Sequence, residues 1–294
     1  MTSTAGTTIA DTVATVRHAG STNIRSRIMP ASGRSSDVGP GVAADRAPDA
    51  SETVLQAYII HLKDASGRWP QVERLKQELP MASQVVDAVS GARLPERELD
   101  RVYRRNLHWP PYPFRLSKGE IGCFLSHRLT WQAILDGNAE GGLVLEDDIE
   151  IDSARLPAAL ELVGKFASPG DIVRFPNKFR SRAGQVVASQ DGFDVVQEKS
   201  PGLNMMMQWI GRDAARQLLA RTEIFDRPVD VFMQMRWMHD LPVYAVRPVL
   251  IREVSGELGG STIQSGRKSI PNEAARSIGR TAYRGYTRAR NMFR

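Results

Sequence analysis

Gly142-Leu143-Val144-Leu145-Glu146-Asp147-Asp148 decides the reading of this chain. Three apolar residues in a row run straight into three carboxylates. An apolar run of this length beside paired glycines predicts a buried strand. Its end then carries Glu146, Asp147 and Asp148 to the mouth of a sheet, where ligands sit in open α/β folds. Three adjacent acids repel one another unless something positive compensates them. A hard divalent cation that also holds phosphate oxygens compensates them most economically. The stretch therefore points to a metal-dependent enzyme that handles a phosphorylated or nucleotide substrate.

The flanking sequence supplies an α/β frame. Residues 55–62 predict a strand, 63–67 a turn and 69–79 a helix. Residues 84–89 predict a second strand closed by Ser90-Gly91, followed by a loop that carries Pro110, Pro111 and Pro113. Ser117-Lys118-Gly119-Glu120 has the capping-box pattern: Ser117 caps a helix and Glu120 reaches back to it. That helix is expected to run to Asp136 and stop at Gly137. Glu120, Phe124, His127 and Trp131 are spaced so that they share one of its faces.

Beyond the acidic strand, Ser153 is expected to cap a helix that reaches about residue 166. Residues 171–175 predict a strand, and Val186-Val187 and Val195-Val196 a hairpin turning at Asp191-Gly192. Residues 204–210 predict a strand and 213–221 a helix. Pro228 opens a short helix over 229–238, and 243–246 form a last short strand. Strands that alternate with helices in the first half argue for a partly parallel sheet. Met205, Met206, Met207 and Trp209 are expected in the core.

The 294 residues are 41% hydrophobic and 24% charged, which are globular values and suffice for one large domain or two small ones. No apolar run approaches the ~18 residues of a membrane span. The N-terminus lacks the basic start and apolar middle of a secretory signal. Residues 1–52 are rich in Ser, Thr, Ala, Gly and Asp, and read as a disordered leader. Cys123 is the only cysteine, so no internal disulfide can form, which suits a reducing compartment. With no evident base beside it, Cys123 reads as a small buried hydrophobe.

These residues together resemble a known family. The segments that carry the likeness are Tyr58-Ile59-Ile60-His61-Leu62 followed by Arg68, then Ala88-Val89-Ser90-Gly91. Leu116-Ser117-Lys118-Gly119-Glu120-Ile121-Gly122-Cys123-Phe124-Leu125-Ser126-His127 and Leu145-Glu146-Asp147-Asp148 follow in the same order. The chain resembles glycosyltransferase family 25, the group of lipooligosaccharide galactosyltransferases to which the collagen galactosyltransferases are also similar. The likeness continues through Arg227-Pro228-Val229-Asp230 and Ser261-Thr262-Ile263, and so covers residues 55–263. It departs from the family pattern at His61, where Asn is usual, and at Ser90, where Asp is usual.

The resemblance implies a GT-A fold, a Rossmann-like mixed sheet flanked by helices in a single catalytic domain over 53–263. It also implies a nucleotide-sugar donor such as UDP-galactose, a divalent Mn2+ or Mg2+ and inversion at the anomeric carbon. Glu146 and Asp148 then match the outer acids of an Asp-X-Asp motif. Asp148 would bind the metal, and Glu146 would reach the ribose or a metal-bound water. Asp147 points the other way on an extended chain and braces the loop. Around the donor the likeness places His61, Leu62, Arg68, Glu120, Ser126 and His127. Three have a plainer alternative: His127 as a packed core residue, Glu120 as the capping partner only, Arg68 as a surface arginine.

An inverting transfer needs one base to take the acceptor's proton. Asp230, at the start of a helix where a carboxylate is favoured, is the candidate; a plain helix cap is the alternative. His239-Asp240 is a possible metal pair or a surface turn. Trp109, Pro110, Pro111 and Tyr112 are expected as an acceptor-binding rim.

The net charge of +6 is uneven: residues 267–294 carry eight basic side chains and one acid, leaving −1 for the rest. In this tail, Ala275, Ile278, Ala282, Tyr286, Ala289 and Phe293 alternate with Arg276, Arg280, Arg284 and Arg288. The pattern is that of a basic amphipathic helix, over 264–294, able to lie on an anionic membrane surface. It suits a cytoplasmic enzyme, peripheral on the inner membrane face, with a lipid-linked glycan acceptor. Nucleic acid is not expected as a partner, because no nucleic-acid-binding fold accompanies the basic stripe. Two rivals stand beside the transferase. A sugar nucleotidyltransferase would need a Gly-rich basic loop after the first strand, and 63–68 is a poor match. A degenerate, membrane-bound scaffold is kept open by His61 and Ser90.

Overall fold

Ala57-Tyr58-Ile59-Ile60 and Leu143-Val144-Leu145 show no polar alternation, and both runs are buried on both sides. Parallel strands covered by helices on both faces demand this. The computed structural model describes residues 55–179, 184–260 and 273–292. The leader expected over 1–52, the 261–263 end of the family likeness, and Arg267 and Lys268 lie outside them.

Strand β1 (Gln56–His61) lies between β2 (Ser83–Asp87) and β3 (Gly141–Glu146) and is parallel to both. Helix α1 (Trp69–Glu78) makes the crossover from β1 to β2. The sheet continues through β5 (Ile172–Arg174), the hairpin β6 (Gln185–Gln190) and β7 (Phe193–Gln197), β8 (Met207–Gly211) and β9 (Val243–Arg247). Its order is β2-β1-β3-β8-β5-β9-β7-β6. Strand β8 is antiparallel to β3 and β5, whereas β5 and β9 are parallel. The result is the mixed α/β sheet flanked by helices that the sequence implied. The hairpin turns at Asp191 and Gly192, both with positive φ (49° and 78°), as a tight two-residue connection requires.

One face of the sheet carries Ile59, Leu143, Leu145 and Trp209, packed with Val72 and Leu75 of α1 and with Leu160 and Val163 of α4 (Leu156–Phe166). The other face receives α3 (Lys118–Asp136). Its capping box is complete: Ser117 Oγ accepts from the Glu120 N–H (3.2 Å), and Glu120 Oε2 accepts from the Ser117 N–H (2.7 Å). Gly91 and Gly122 let the segment after β2 lie directly on α3. A Cβ at Gly122 would come within 2.5 Å of the Val89 carbonyl oxygen.

Several local expectations are corrected. The segment after β2 is not all loop, because Glu96–Val102 forms helix α2 behind Pro95, with Glu96 and Glu98 favourably placed in its first turn. Ser153 does not cap α4. Arg155 stands at that position, and its N–H is held by the Asp152 side chain (3.2 Å), because the intervening residues form β4 (Ile149–Ile151). Nor is β9 the last strand: β10 (Ile251–Glu253) pairs antiparallel with β4. After α5 (Arg212–Arg221), the helix behind Pro228 breaks at Met235 into α6 (Val229–Gln234) and α7 (Arg236–His239).

The basic tail forms helix α8 (Glu273–Met292). Among its described side chains Tyr283, Thr287 and Asn291 are buried, whereas Ala282, Tyr286 and Ala289 of the expected apolar stripe are exposed. Hydrogen bonds select the face: the Arg227 guanidinium donates to Tyr283 Oη (2.5 Å), and Asn291 Nδ2 donates to the Gln234 carbonyl (2.8 Å).

Candidate active site

Alternation along β3 and its continuation sends successive acids to opposite sides. Asp147 turns toward α1. It is 6% exposed, and both its oxygens are engaged: His61 Nδ1 lies 2.7 Å from Oδ2, and the Arg68 guanidinium donates to Oδ1 at 2.7 Å. Arg68 also donates to the Gly260 carbonyl (2.6 Å) and lies 3.5 Å from Asp148 Oδ2. Arg68 is therefore buried, not a surface arginine. Asp147 braces the site: it ties the end of β1 and the start of α1 to the end of β3. Leu62 supports the same turn, its carbonyl accepting from the Ala65 N–H (2.7 Å). A cleft of about 400 Å3 opens beside this brace, lined by Ala65, Gly67, Arg68 and residues 257–260.

Asp148 is the least satisfied acid of the three. Its Oδ1 is buried with no hydrogen-bond partner, and burial, reinforced by the charges of Glu146 and Asp147 and opposed by Arg68, pushes its carboxyl up from 3.8 to about 7. A nearby dication would reverse this balance. Glu146 turns to the other side, its Oε1 3.3 Å from His127 Nε2, and its side chain is 25% exposed. An orphaned buried carboxylate oxygen beside a half-buried one fits a hard divalent cation, and Glu146 and Asp148 are the residues that would hold it.

Helix α3 lines this second side. His127 is buried and packs against Trp131, as the core reading expected, and its Nε2 faces Glu146. Ser126 Oγ accepts from the Val89 N–H (2.9 Å) and donates to the Gly122 carbonyl (2.8 Å), which fixes the segment around Ser90 on α3. Glu120 completes the cap, and its charge also reaches Asp230. Cys123 is partly exposed between them. Burial and then the charges of Glu146, Asp230, Asp148 and Glu120 push its thiol well up, so its surroundings are acidic and not simply apolar.

Asp230 sits in the first turn of α6, where its Oδ1 accepts from the Val231 N–H (2.7 Å). Burial raises its carboxyl above the ordinary range. The Val231 N–H and Arg174 oppose that rise, and Glu146 and Glu120 add to it. The α3 N-terminus, the end of β3 and the start of α6 therefore share one electrostatic field. Beside Asp230, Arg227 is wholly buried and holds Asp226 (2.6 Å) and the carbonyls of His108 (3.0 Å) and Pro110 (3.2 Å). Burial alone would raise Asp226, but hydrogen bonds from His108 and Arg227 outweigh it and hold that carboxyl well below the usual range. The Pro-rich loop is thereby fixed next to α6, with Trp109 69% exposed at its rim and Tyr112 against Tyr283.

Two residues of the site were not anticipated. Arg174, in the central strand β5, is buried and donates to Glu198 (3.3 Å) and to the Asn204 carbonyl (2.9 Å). Asn204 holds φ at 106° and accepts from the Met206 N–H (3.0 Å), while the Met206 carbonyl accepts from the Glu146 N–H (2.8 Å). A strained non-glycine residue thus sets the position of Glu146. The readable signal was a lone charge inside Ile172-Val173-Arg174-Phe175. His239, by contrast, is no metal ligand or surface residue: it is buried, with both ring nitrogens bonded to backbone at Met233 and Leu241.

Fold and site fit a transferase of sugars from nucleotide donors. The chain belongs to glycosyltransferase family 25, whose model, described as "Glycosyltransferase family 25 (LPS biosynthesis protein)", matches residues 54–233. It is similar to procollagen galactosyltransferase 1-B of Xenopus laevis, with 35% identity over 100 residues, 33% of this chain and 16% of that protein. Procollagen galactosyltransferase 2 of Homo sapiens is 34% identical over 100 residues, again 33% of this chain and 16% of that protein. A longer match, 26% over 220 residues, links 66% of the chain to 36% of the "probable inactive glycosyltransferase 25 family member 3" of Bos taurus. The chain thus spans about a sixth of the length of the procollagen galactosyltransferases it matches.

Proposed function

We propose that the protein transfers a hexose, galactose from UDP-galactose, to a hydroxyl of a lipopolysaccharide, lipooligosaccharide or other surface glycan, with inversion. The reading rests above all on the unsatisfied Asp148 carboxylate at the sheet edge, with Glu146 beside it and Asp230 within the same field. A divalent Mn2+ or Mg2+ held by Glu146 and Asp148 would neutralise the charge that builds on the departing diphosphate. Arg68, beside the cleft, offers a guanidinium for phosphate or base. Asp230 takes the proton of the acceptor hydroxyl; its raised carboxyl brings it nearer to the working pH of a general base. His127 orients Glu146, and Asp147 with His61 and Arg68 holds the acidic turn rigid.

The name "galactosyltransferase" borne by the relatives supports the sugar, and the family's description supports the lipopolysaccharide acceptor. The exposed Arg284, Arg288 and Arg290 on α8 support contact with an anionic leaflet at about 1 kcal/mol per basic residue. Among the described residues no helix is long and apolar enough to cross a membrane.

The test is release of UDP from a panel of nucleotide sugars, with and without Mn2+, in the wild type and in Asp230→Asn. UDP-galactose should be consumed fastest and only with metal. The variant should keep donor binding and lose about a hundredfold or more in turnover. No turnover of any donor would instead support the degenerate scaffold, and unchanged turnover in Asp230→Asn would remove Asp230 from its role.

A further inference from the structure

We infer that Cys123, His127 and Glu146 form a zinc-binding site between α3 and the end of β3, separate from the oxygen-only pair Glu146 and Asp148 except for the shared Glu146. Cys123 and His127 are four residues apart on α3 and so face the same way. Strand alternation turns Glu146 toward them. One ligand atom from each residue lies within 4.8 Å of the other two. His127 Nε2 and Glu146 Oε1 are 3.3 Å apart. Zinc bonds of ~2.0–2.2 Å in a tetrahedron put two such donors about 3.4 Å apart, so this edge is already formed. His127 is 1% exposed and its Nδ1 has no hydrogen-bond partner, whereas Cys123 and Glu146 are partly exposed.

The donor set chooses the metal. Thiolate, imidazole and carboxylate together suit zinc, whereas Mg2+ and Mn2+ prefer oxygen alone. The carboxylates of Glu146, Asp230, Asp148 and Glu120 around the thiol set up a negative field that attracts a dication. On binding, the zinc–sulfur bond forms, the thiol proton leaves to solvent and no electron moves. Three protein ligands leave the fourth position to water. Binding itself is independent of the transferase reading. One consequence rests on it: zinc takes Glu146 away from the oxygen-only pair and so inhibits transfer supported by Mn2+.

The test uses the full chain, stripped with a chelator and titrated with Co2+ and then Zn2+. Because Cys123 is the only cysteine, any thiolate-to-cobalt charge-transfer band in the near ultraviolet reports this site. A stoichiometric band that zinc displaces is expected, retained in Asp148→Asn and absent in Cys123→Ser. X-ray absorption of the zinc-loaded wild type should show one sulfur at ~2.3 Å. Zinc bound by nitrogen and oxygen alone, or no cobalt band in the wild type, overturns the site even if Cys123→Ser fails to fold. Zinc should stop turnover in the wild type and spare it in Cys123→Ser. Absence of turnover with every metal would defeat the transferase reading while leaving the cobalt result intact.

Discussion

Replacing Asp148 with Asn should make the metal-free protein more stable, and increasingly so as pH rises. The Asp148 carboxyl is pushed from 3.8 to about 7, chiefly by burial and then by the Glu146 charge. At ~1.4 kcal/mol for each tenfold change in proton affinity, keeping it ionised in the fold costs ~4 kcal/mol above pH 7. The sign follows from linkage: an acid with a raised folded value binds its proton more tightly when folded. Its penalty is absent below about pH 4, grows between 4 and 7, and is constant above. Asn carries no such penalty. Urea denaturation in chelator at pH 5 and pH 8 should therefore show the variant gaining about 2–3 kcal/mol on the wild type between the two. Adding Mn2+ at pH 8 should stabilise the wild type and leave the variant unmoved. An equal stability difference at both pH values would refute the claim that Asp148 is an uncompensated buried carboxylate.

Asp147→Ala strips the buried Arg68 guanidinium and the buried His61 ring of their partner and should cost ~3–5 kcal/mol in urea denaturation, far more than an exposed acid would. Gly122→Ala would place a Cβ 2.5 Å from the Val89 oxygen and 2.7 Å from the Gly91 nitrogen, and should lose ~1–3 kcal/mol of stability. Gly67→Ala meets nothing within 4 Å and should stay within about 0.5 kcal/mol of the wild type in the same assay.

The parallel half of the sheet was legible because its strands are unbroken apolar runs and its helix begins with a capping box whose two bonds both form. The opposite fates of Glu146 and Asp147 followed from strand alternation, and the brace expected at Asp147 exists. What was missed involves partners remote in the chain. Ile251–Glu253 becomes a strand only because Ile149–Ile151 pairs with it, and no local pattern marks either. The tail showed an Ala and Tyr stripe, yet burial falls on Tyr283, Thr287 and Asn291, since hydrogen bonds to Arg227 and Gln234 outweigh a few methyl groups. The surface alternatives for Arg68 and His239 stayed open in the sequence because their partners, Asp147 and the Met233 carbonyl, belong to tertiary structure.

The central claim is that the acids ending β3 hold a cation that in turn holds a nucleoside diphosphate. Calorimetric titration of the full chain with UDP, in chelator and then in Mn2+, tests it most directly. UDP should bind markedly tighter with Mn2+ in the wild type, and Asp148→Ala should abolish that gain while keeping its fold. UDP affinity that is indifferent to Mn2+, or a gain that survives in Asp148→Ala, would contradict it.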